Sequence, residues 1–489
     1  MKYIGIDLGT TAVKLLLLDS QGTIDQIVSK EYPLSFPHPG WSEQNPSDWY
    51  EQTMAGLREL LATTDKAQIG GISFGGQMHG LVVLDHDDQV IRPAILWNDG
   101  RTGKECDYLN QTIGEARLAQ YTANIAFAGF TAPKLLWLKA NEPQNFARIA
   151  KIMLPKDYLA YRLTGVHCTD VSDASGMLLF DVRNRRWSQE MIDICGLKIS
   201  QLAQVFESYE KVGTVLPEIA AELGIPSGTI VAAGAGDNAA AAVGTGTVGD
   251  GACNISLGTS GTVFIASGSF ADVQNHAIHS FAHADGSYHL MGCMLSAAAC
   301  GKWWLENIIG TDDYAAEEAK INNLGENHVY FLPYLMGERS PHNNPNARGT
   351  MIGMSMDTTR TDITQAVLEG VAFALRDSME VANQLGIDVK RTKICGGGAK
   401  SKIWVQIIAN VLNLEVDLIA NEQGPAMGAA MLAAIAAGEY KNVQEAADLM
   451  VHIVATVKPQ PEIAAKYEQR YQTYRRIYPA CKDLYNEMI

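Results

Sequence analysis

The 489 residues carry a formal charge of −16 at pH 7, and 47% are hydrophobic against 19% charged. That length exceeds what one hydrophobic core usually holds and suits two large domains of ordinary globular composition, with no disordered segment required. The acidity argues against nucleic acid or an anionic membrane as partner, since both need a basic footprint, and any bound phosphate then needs local positive charge. The eight cysteines (Cys106, Cys168, Cys195, Cys253, Cys293, Cys300, Cys395 and Cys481) include no CxxC pair, which predicts reduced thiols in the core of a cytoplasmic protein. No apolar run approaches the roughly 18 residues of a membrane span. Residues 1–14 place Asp7 inside their apolar stretch, unlike a signal peptide.

Residues 3–7 read as a buried strand that breaks at Gly9-Thr10-Thr11. Residues 13–18 and 23–28 read as two more strands joined by the turn at 19–22. A carboxylate ending an apolar strand is costly unless solvated, paired or bound to a cation. Asp7 therefore either caps its own turn or serves as a Mg²⁺ ligand facing a phosphate. Residues 41–64 become helical, with Trp49, Met54, Leu57, Leu60 and Leu61 at mostly helical spacing, and read as scaffold. The strand at 69–74 ends in Gly75-Gly76-Gln77-Met78-His79-Gly80, flexible backbone around one amide and one imidazole. Loops after strand ends in α/β folds are where ligands sit, although a tight turn whose His79 bonds a nearby carbonyl fits the same residues.

Residues 95–101 begin apolar and turn abruptly polar, as a pocket edge or a helix cap would. Residues 108–201 read as helical with short interruptions. Residues 169–176, with Asp170 and Asp173, lack EF-hand spacing and read as a turn-rich connector. The chain is organised around residues 232–264, where Asp237 sits on a glycine-flanked turn before an alanine-rich helix and a strand–turn–strand follows around Gly258-Thr259-Ser260-Gly261. Residues 6–13 (IDLGTTAV) align without gaps on residues 255–262 (ISLGTSGT). One supersecondary unit thus occurs twice, which predicts two similar halves holding a phosphate chain between their turns. Because the second copy has Ser256 in place of Asp7, the turn does not need the charge, which favours a cation-binding role for Asp7.

His276, His279, His283 and His289, with Cys293 behind, lie where the sequence alternates like a hairpin turned at Asp285-Gly286. Their spacing fits no zinc pattern, and structural roles are expected. Helices are expected at 295–309, 313–323 and 361–385, the last with Ile363, Val367, Leu368, Val371, Ala374 and Leu375 on its apolar stripe. Between them a strand at 329–332 leads into a loop at 333–341, where Glu338 and Arg339 read as a structural ion pair or a pocket edge. A strand at 391–394 opens into Gly396-Gly397-Gly398-Ala399-Lys400-Ser401 before a helix at 402–411. Such a turn lets backbone N–H groups approach a nucleotide, but it matches neither the P-loop nor the Rossmann fingerprint. Residues 423–428 start another alanine-rich helix, and 461–487 read as one terminal helix.

The runs IGIDLGTT, GGQMHG, RPAILWNDGR, GFTAPKLLW, LPKDYL, SDASG, GDNAAAAVG, SLGTSG, PYLMGERSPHNNP, GGGAKS and GPAMGAA follow one another in order, and residues 349–370 fit a C-terminal signature. Over nearly all of the chain this resembles the FGGY carbohydrate kinases of the actin/hexokinase superfamily. The resemblance implies an α/β fold of two ribonuclease-H-like (actin-like ATPase) domains, 1–247 on the sugar side and 248–489 on the nucleotide side, with ATP and Mg²⁺ in the cleft. It implies transfer of the γ-phosphoryl group to O5 of D-xylulose, as in xylose catabolism, with Asp237 as proton acceptor. Gln77, Met78, His79 and Asn238 would contact the sugar beside Asp237. Thr10, Thr11, Gly258, Thr259, Ser260, Gly397, Gly398 and Ala399 would surround ATP, and Asp7 would be a catalytic carboxylate and metal ligand. A homodimer is a further family-based expectation. Glycerol kinases differ where this chain has QMHG, which favours a ketopentose, while another ketose or polyol such as ribulose stays open. A non-enzymatic actin-like nucleotide switch would share the turns without needing a sugar-sized polar loop. Asp237 can also N-cap residues 238–243, a role compatible with catalysis.

Overall fold

Aliphatic runs at the N-terminus form β1 (Lys2–Leu8), β2 (Ala12–Asp19) and β3 (Ile24–Glu31) in the computed structural model, which describes residues 1–273, 277–421 and 423–488. Leu15 to Leu18 in β2 are all buried because their sheet is covered on both sides. With the strand period of two, Leu15 and Leu17 join a core with Trp49, Leu57 and Leu60, while Leu16 and Leu18 join one with Ala430, Ala433 and Ala434. The first cover is α1 (Pro46–Leu60), started by Asn45, whose side chain accepts the Ser47 N–H. The second cover comes from far along the chain.

The first compact unit comprises Met1–Gly249, Ser280–Tyr288 and Gln423–Val451. Its sheet adds β4 (Ile69–Gly76), β5 (Lys211–Thr214) and β6 (Ile230–Ala232) in the order β5-β6-β4-β1-β2-β3. β1, β4 and β6 are parallel, and the remaining pairings are antiparallel. The helix α2 (Asp237–Gly244) packs on an apolar helix, Gly424–Ala436, at backbone contact. A Cβ on Gly428 would lie 1.8 Å from the Ala240 carbonyl oxygen, and one on Gly5 of β1 would lie 1.9 Å from that of Ala426.

The second unit comprises Asp250–His279, His289–Glu422 and His452–Ile489. It holds β7 (Cys253–Leu257), β8 (Gly261–Ser267), β9 (Tyr288–Met294), β10 (Arg391–Cys395), β11 (Glu415–Ile419) and β12 (Ile453–Val457), in the sheet order β9-β8-β7-β10-β11-β12. Matching β1 to β7 superposes the two orders strand for strand. β7 is antiparallel to β8 and parallel to β10, as β1 is to β2 and β4. The repeat read from the sequence is therefore a repeat of strand order, although the outer strand precedes its neighbour in the first unit (β5 before β6) and follows it in the second (β12 after β11), and the turn differs too. Leu8 pairs with Val13, whereas Leu257 pairs with Gly261, so the second turn is one residue tighter and its return strand slips by one. The long amphipathic helix, α3 (Arg360–Gln384), carries a Thr359/Asp362 capping box and buries the expected stripe.

Several elements differ from their sequence expectations. The terminal helix is two, Pro461–Tyr474 and Ile477–Glu487, because Pro479 has no N–H to continue the ladder upstream. The helix expected at 313–323 spans only Tyr314–Glu318. Residues 169–176 are no connector but strand, N-cap and helical turns, buried throughout. The hairpin around Asp285-Gly286 is present, and His276 lies outside the described residues. Among the described residues no helix is long and apolar enough to cross a membrane.

Candidate active site

The C-terminal ends of parallel strands gather the first unit's candidate residues. Asp7 pairs in register with Gly75, and the short strand Ala235–Gly236 pairs with Gly75 and Gly76, so Asp7, the 77–79 loop and Asp237 leave one sheet at one end. Asp237 is the first residue of α2. Its Oδ1 accepts the Asn238 N–H at 2.7 Å and the Asn238 side-chain amide at 2.9 Å, and Oδ2 has no hydrogen bond among the described residues. One oxygen is thus fixed and the other is available to an acceptor hydroxyl. Asn238 spends its amide on orienting Asp237. Burial pushes the Asp237 carboxyl up to about 6 against those two hydrogen bonds.

Asp7 is half-buried, and its carboxylate makes no hydrogen bond among the described residues. Burial first, then the Asp237 charge, push it up to about 7 against the pull of Lys14. A lone carboxylate raised by desolvation and a second acid is relieved by a divalent cation, and Mg²⁺ is commonly held by one or two carboxylates plus substrate phosphates. The donor at residue 7 therefore fits that ion. Elsewhere, the described residues contain no group of three or more His, Cys, Asp or Glu arranged to hold a metal. His283 bonds the Thr247 carbonyl, and His289 stacks on Phe264.

The turn at residues 9–11 is braced from several sides. Tyr32 donates its hydroxyl to Gly9 O, the Thr11 carbonyl accepts the Tyr32 N–H, and Trp97, though 47% exposed, donates its indole N–H to Thr10 Oγ1 at 3.0 Å. Gln77 is buried, with its amide donating to Gly9 O and Gln44 Oε1. Met78 packs against Gly236, where a Cβ would lie 3.0 Å from its Sδ. His79 adopts φ 69°, a left-handed conformation uncommon outside glycine, and its ring lies against Phe130. The carbonyl bond foreseen for His79 is present, since Nδ1 donates to Gly176 O at 2.7 Å. Sequence reasoning overlooked Lys134, which is buried and donates to the carbonyls of His79 and Gly129. Burial lowers its pKa to about 7. The acidic pocket edge at 95–101 is a structural clamp, with Asp99 paired to Arg101 and Arg101 lying 3.6 Å over the Trp41 ring.

In the second unit two glycine turns meet. Gly396 has φ 92°, and a Cβ there would lie 2.8 Å from the Leu257 carbonyl. Gly398 is as tightly set against the Leu257 side chain. Gly258, Thr259, Gly397 and Gly398 line a cavity of about 860 Å³ walled by Trp303, Tyr314 and Trp404. Ser260 and Ala399 stand beside this lining. Lys302 and Lys400 on the rim supply the local positive charge that an acidic chain needs for a phosphate ligand. Ser401 caps the helix Lys402–Leu412 and donates its hydroxyl to Glu318. Glycine-walled backbone with aromatic sides suits a phosphate chain continued by a flat base.

Comparison with known proteins agrees with this geometry. Residues 2–244 match the N-terminal domain, and residues 253–437 the C-terminal domain, of the FGGY family of carbohydrate kinases. A xylulose kinase of Escherichia coli (strain K12) is 41% identical over 97% of this chain and 98% of its own length. A crystal structure of a "xyloylose kinase" from Brucella ovis superposes with a TM-score of 0.94 at 40% identity, over 99% of this chain and all of that one. A gluconate kinase from Lactobacillus acidophilus superposes equally well, with a TM-score of 0.95 at 27% identity over 100% of this chain and 99% of its own. Two seven-stranded α/β sheets sharing one core strand order, a carboxylate-bearing helix start and a glycine-walled cavity are thus those of an ATP-dependent sugar kinase, and the chain belongs to the FGGY family of carbohydrate kinases.

Proposed function

We propose that the protein phosphorylates D-xylulose at O5, with Asp237 as the general base. Asp237 carries the reading. It combines one oxygen pinned by Asn238, one oxygen without a hydrogen bond among the described residues, and a position beside the Met78–His79 loop. In the reaction the O5–H proton passes to Asp237 Oδ2, the O5–P bond forms, and the bond between the γ-phosphorus and the ADP oxygen breaks. The loose transition state asks mainly for alignment and charge neutralisation. Asp237 supplies alignment because its carboxylate plane is fixed from the α2 backbone. Asp7 would hold Mg²⁺, which when bound neutralises phosphate charge. Thr10 and Thr11 in the first unit, and the 258–260 and 397–399 turns in the second, would supply N–H and hydroxyl donors to ATP.

The choice of D-xylulose draws on relatives named for it that are up to 41% identical over nearly full length. Fold alone leaves the acceptor open, since a gluconate kinase shares it. A coupled assay of ADP release across D-xylulose, D-ribulose, gluconate, glycerol and no sugar tests the reading. D-Xylulose should give the highest kcat/KM, by at least about 10-fold, because a wrong hydroxyl leaves buried polar groups unpaired. Faster turnover of another sugar would reassign the acceptor. Slow hydrolysis indifferent to every sugar would point instead to a nucleotide switch.

A further inference from the structure

Directly behind Asp237 lies a polar network that sequence reasoning passed over as a connector. Asp170 is fully buried, and its Oδ2 accepts the Ser172 N–H at 2.8 Å, the Ser172 hydroxyl at 2.5 Å and the Ser208 hydroxyl at 2.7 Å. Lys156 Nζ stands 2.9 Å from Asp170 Oδ1, 2.7 Å from Asp157 and 3.7 Å from Asp173, with no exposure at either end of the Asp170 or Asp173 pair. Burial alone would discharge Lys156, but the three carboxylates outweigh it and hold its pKa well above the ordinary value.

The network has a direction. An ionised carboxylate only accepts, so Ser172 gives its hydroxyl proton to Asp170 and keeps its lone pairs for a donor. That donor is the Gly236 N–H, 3.1 Å from Ser172 Oγ. Gly236 is the N-cap of α2 and immediately precedes Asp237. It also abuts Met78, and a Cβ on neighbouring Gly76 would lie 2.7 Å from Lys156 Cβ. The same buried cluster therefore touches the Ala235–Gly236 peptide just ahead of the base and the strand end that leads into the 77–79 loop.

We propose that Ser172, locked in one rotamer by Asp170 and braced through it by Lys156, is a positioning residue for Asp237. It fixes the Ala235–Gly236 peptide that leads into α2 and with it the direction of Asp237 Oδ2. This rests on the reading of Asp237 as the proton acceptor. Without the Ser172 hydroxyl the Gly236 N–H is buried and unpaired, and the turn relaxes to find another acceptor.

The experiment compares Ser172→Ala with Ser175→Ala, steady-state kinetics and melting being measured for both. Ser175 is an equally buried hydroxyl one helical turn on, bonded to Val171 O and the Ala282 N–H but not to the Asp237 turn. Ser172→Ala should lower kcat for the sugar by about 10- to 100-fold, the usual cost of a small misplacement, while the KM for ATP stays within about 2-fold. Ser175→Ala should lower the melting temperature comparably yet keep kcat within about 2-fold. In the Asp237→Asn background, Ser172→Ala should add almost nothing, since it acts through the lost carboxylate. Equal losses in both serine variants, or normal turnover in Ser172→Ala while Asp237→Asn is inactive, would overturn the positioning role and leave the base intact. Normal turnover in Asp237→Asn would remove the base and this inference together. Should Ser172→Ala fail to fold, Ser208→Ala takes its place. It loosens Asp170 by one hydrogen bond and should show the same kcat-selective pattern more weakly, and an unchanged kcat there counts against the proposal.

Discussion

Replacing the base should stabilise the protein that it disables. Asp237 ionises in the native state at about 6 instead of 3.8 because burial penalises its charge. At 1.36 kcal/mol per pH unit, that gap puts the cost of the buried charge at roughly 3 kcal/mol. Solvent reaches the half-buried carboxylate, and an asparagine keeps the Oδ1 that accepts the Asn238 N–H, so about 1–2 kcal/mol is the expected gain for Asp237→Asn. The sign follows from linkage. The native state holds this proton more tightly than the unfolded chain, so its stabilising effect is complete below about pH 4 and is lost as pH rises through 6. The asparagine variant lacks that loss. Its advantage should be near zero below about pH 4, about half its full size at pH 5 and full at pH 8. It should keep widening up to about pH 7, because removing the Asp237 charge also relieves Asp7. For a unit of this size the gain corresponds to about 3–6 °C in melting temperature. Scanning fluorimetry of ligand-free protein in EDTA at pH 5 and pH 8 measures it. Equal differences at both pH values, or a less stable variant at pH 8, would refute the claim that a desolvated carboxylate sits at residue 237.

The same two acids set the pH profile: kcat/KM for the sugar should fall as pH drops through about 6–7, where Asp237 and Asp7 protonate, and a flat profile down to pH 5 would contradict their roles. Gly396→Ala places a side chain at φ 92°, with its Cβ 2.8 Å from the Leu257 carbonyl. It should raise the KM for ATP at least about 10-fold and leave the sugar KM within about 2-fold, as initial-rate kinetics would register. Gly428→Ala drives a methyl to 1.8 Å from the Ala240 carbonyl oxygen. Overpacking there should cost about 2–4 kcal/mol, read as a lower melting temperature, and should depress turnover below the melt because α2 carries Asp237.

Much of this was legible in the sequence because it is local. The strand, glycine turn and return strand at residues 2–19 recur at 253–267, and near-continuous apolar runs broken by a glycine turn make both visible. Ladder partners are not local, so a gapless alignment hides the one-residue slip between Leu8↔Val13 and Leu257↔Gly261. Serine, aspartate and glycine at 169–176 are turn formers by propensity. They are buried because Lys156, from another helix, neutralises the carboxylates, and no spacing rule predicts that partner. The helix at Gly424–Ala436 was visible as a helix but not as part of the first unit. Its small residues pack at backbone distance on Gly5, Gly71 and Gly244, a fit that only the folded chain reveals. Trp303 and Trp404 were equally mute, since an aromatic residue in a helix is usually core.

Duplication supplies an internal control for what the charges are for. Both units build one core strand order and one glycine-bearing bend after the first strand, so the bend itself is a folding solution that either half reaches. The second half reaches it with Ser256 where the first has Asp7, so the bend forms there without an acid. The first half concentrates Asp7, Asp237, Asp170 and Asp173 near one end of its sheet, where burial raises Asp7 to about 7, Asp237 to about 6 and Asp173 well above its ordinary value. A group such as Asp7, which opposes folding and which the bend does not need, marks a candidate for chemistry. The compensation is visible in the same unit: Lys156 within the carboxylate cluster, and an alanine- and glycine-packed helix pair that lets α2 seat Asp237 with its backbone fixed. In the function proposed above, the acids assign the acceptor chemistry to the first unit, and the cavity between the 258 and 397 turns assigns the nucleotide to the second.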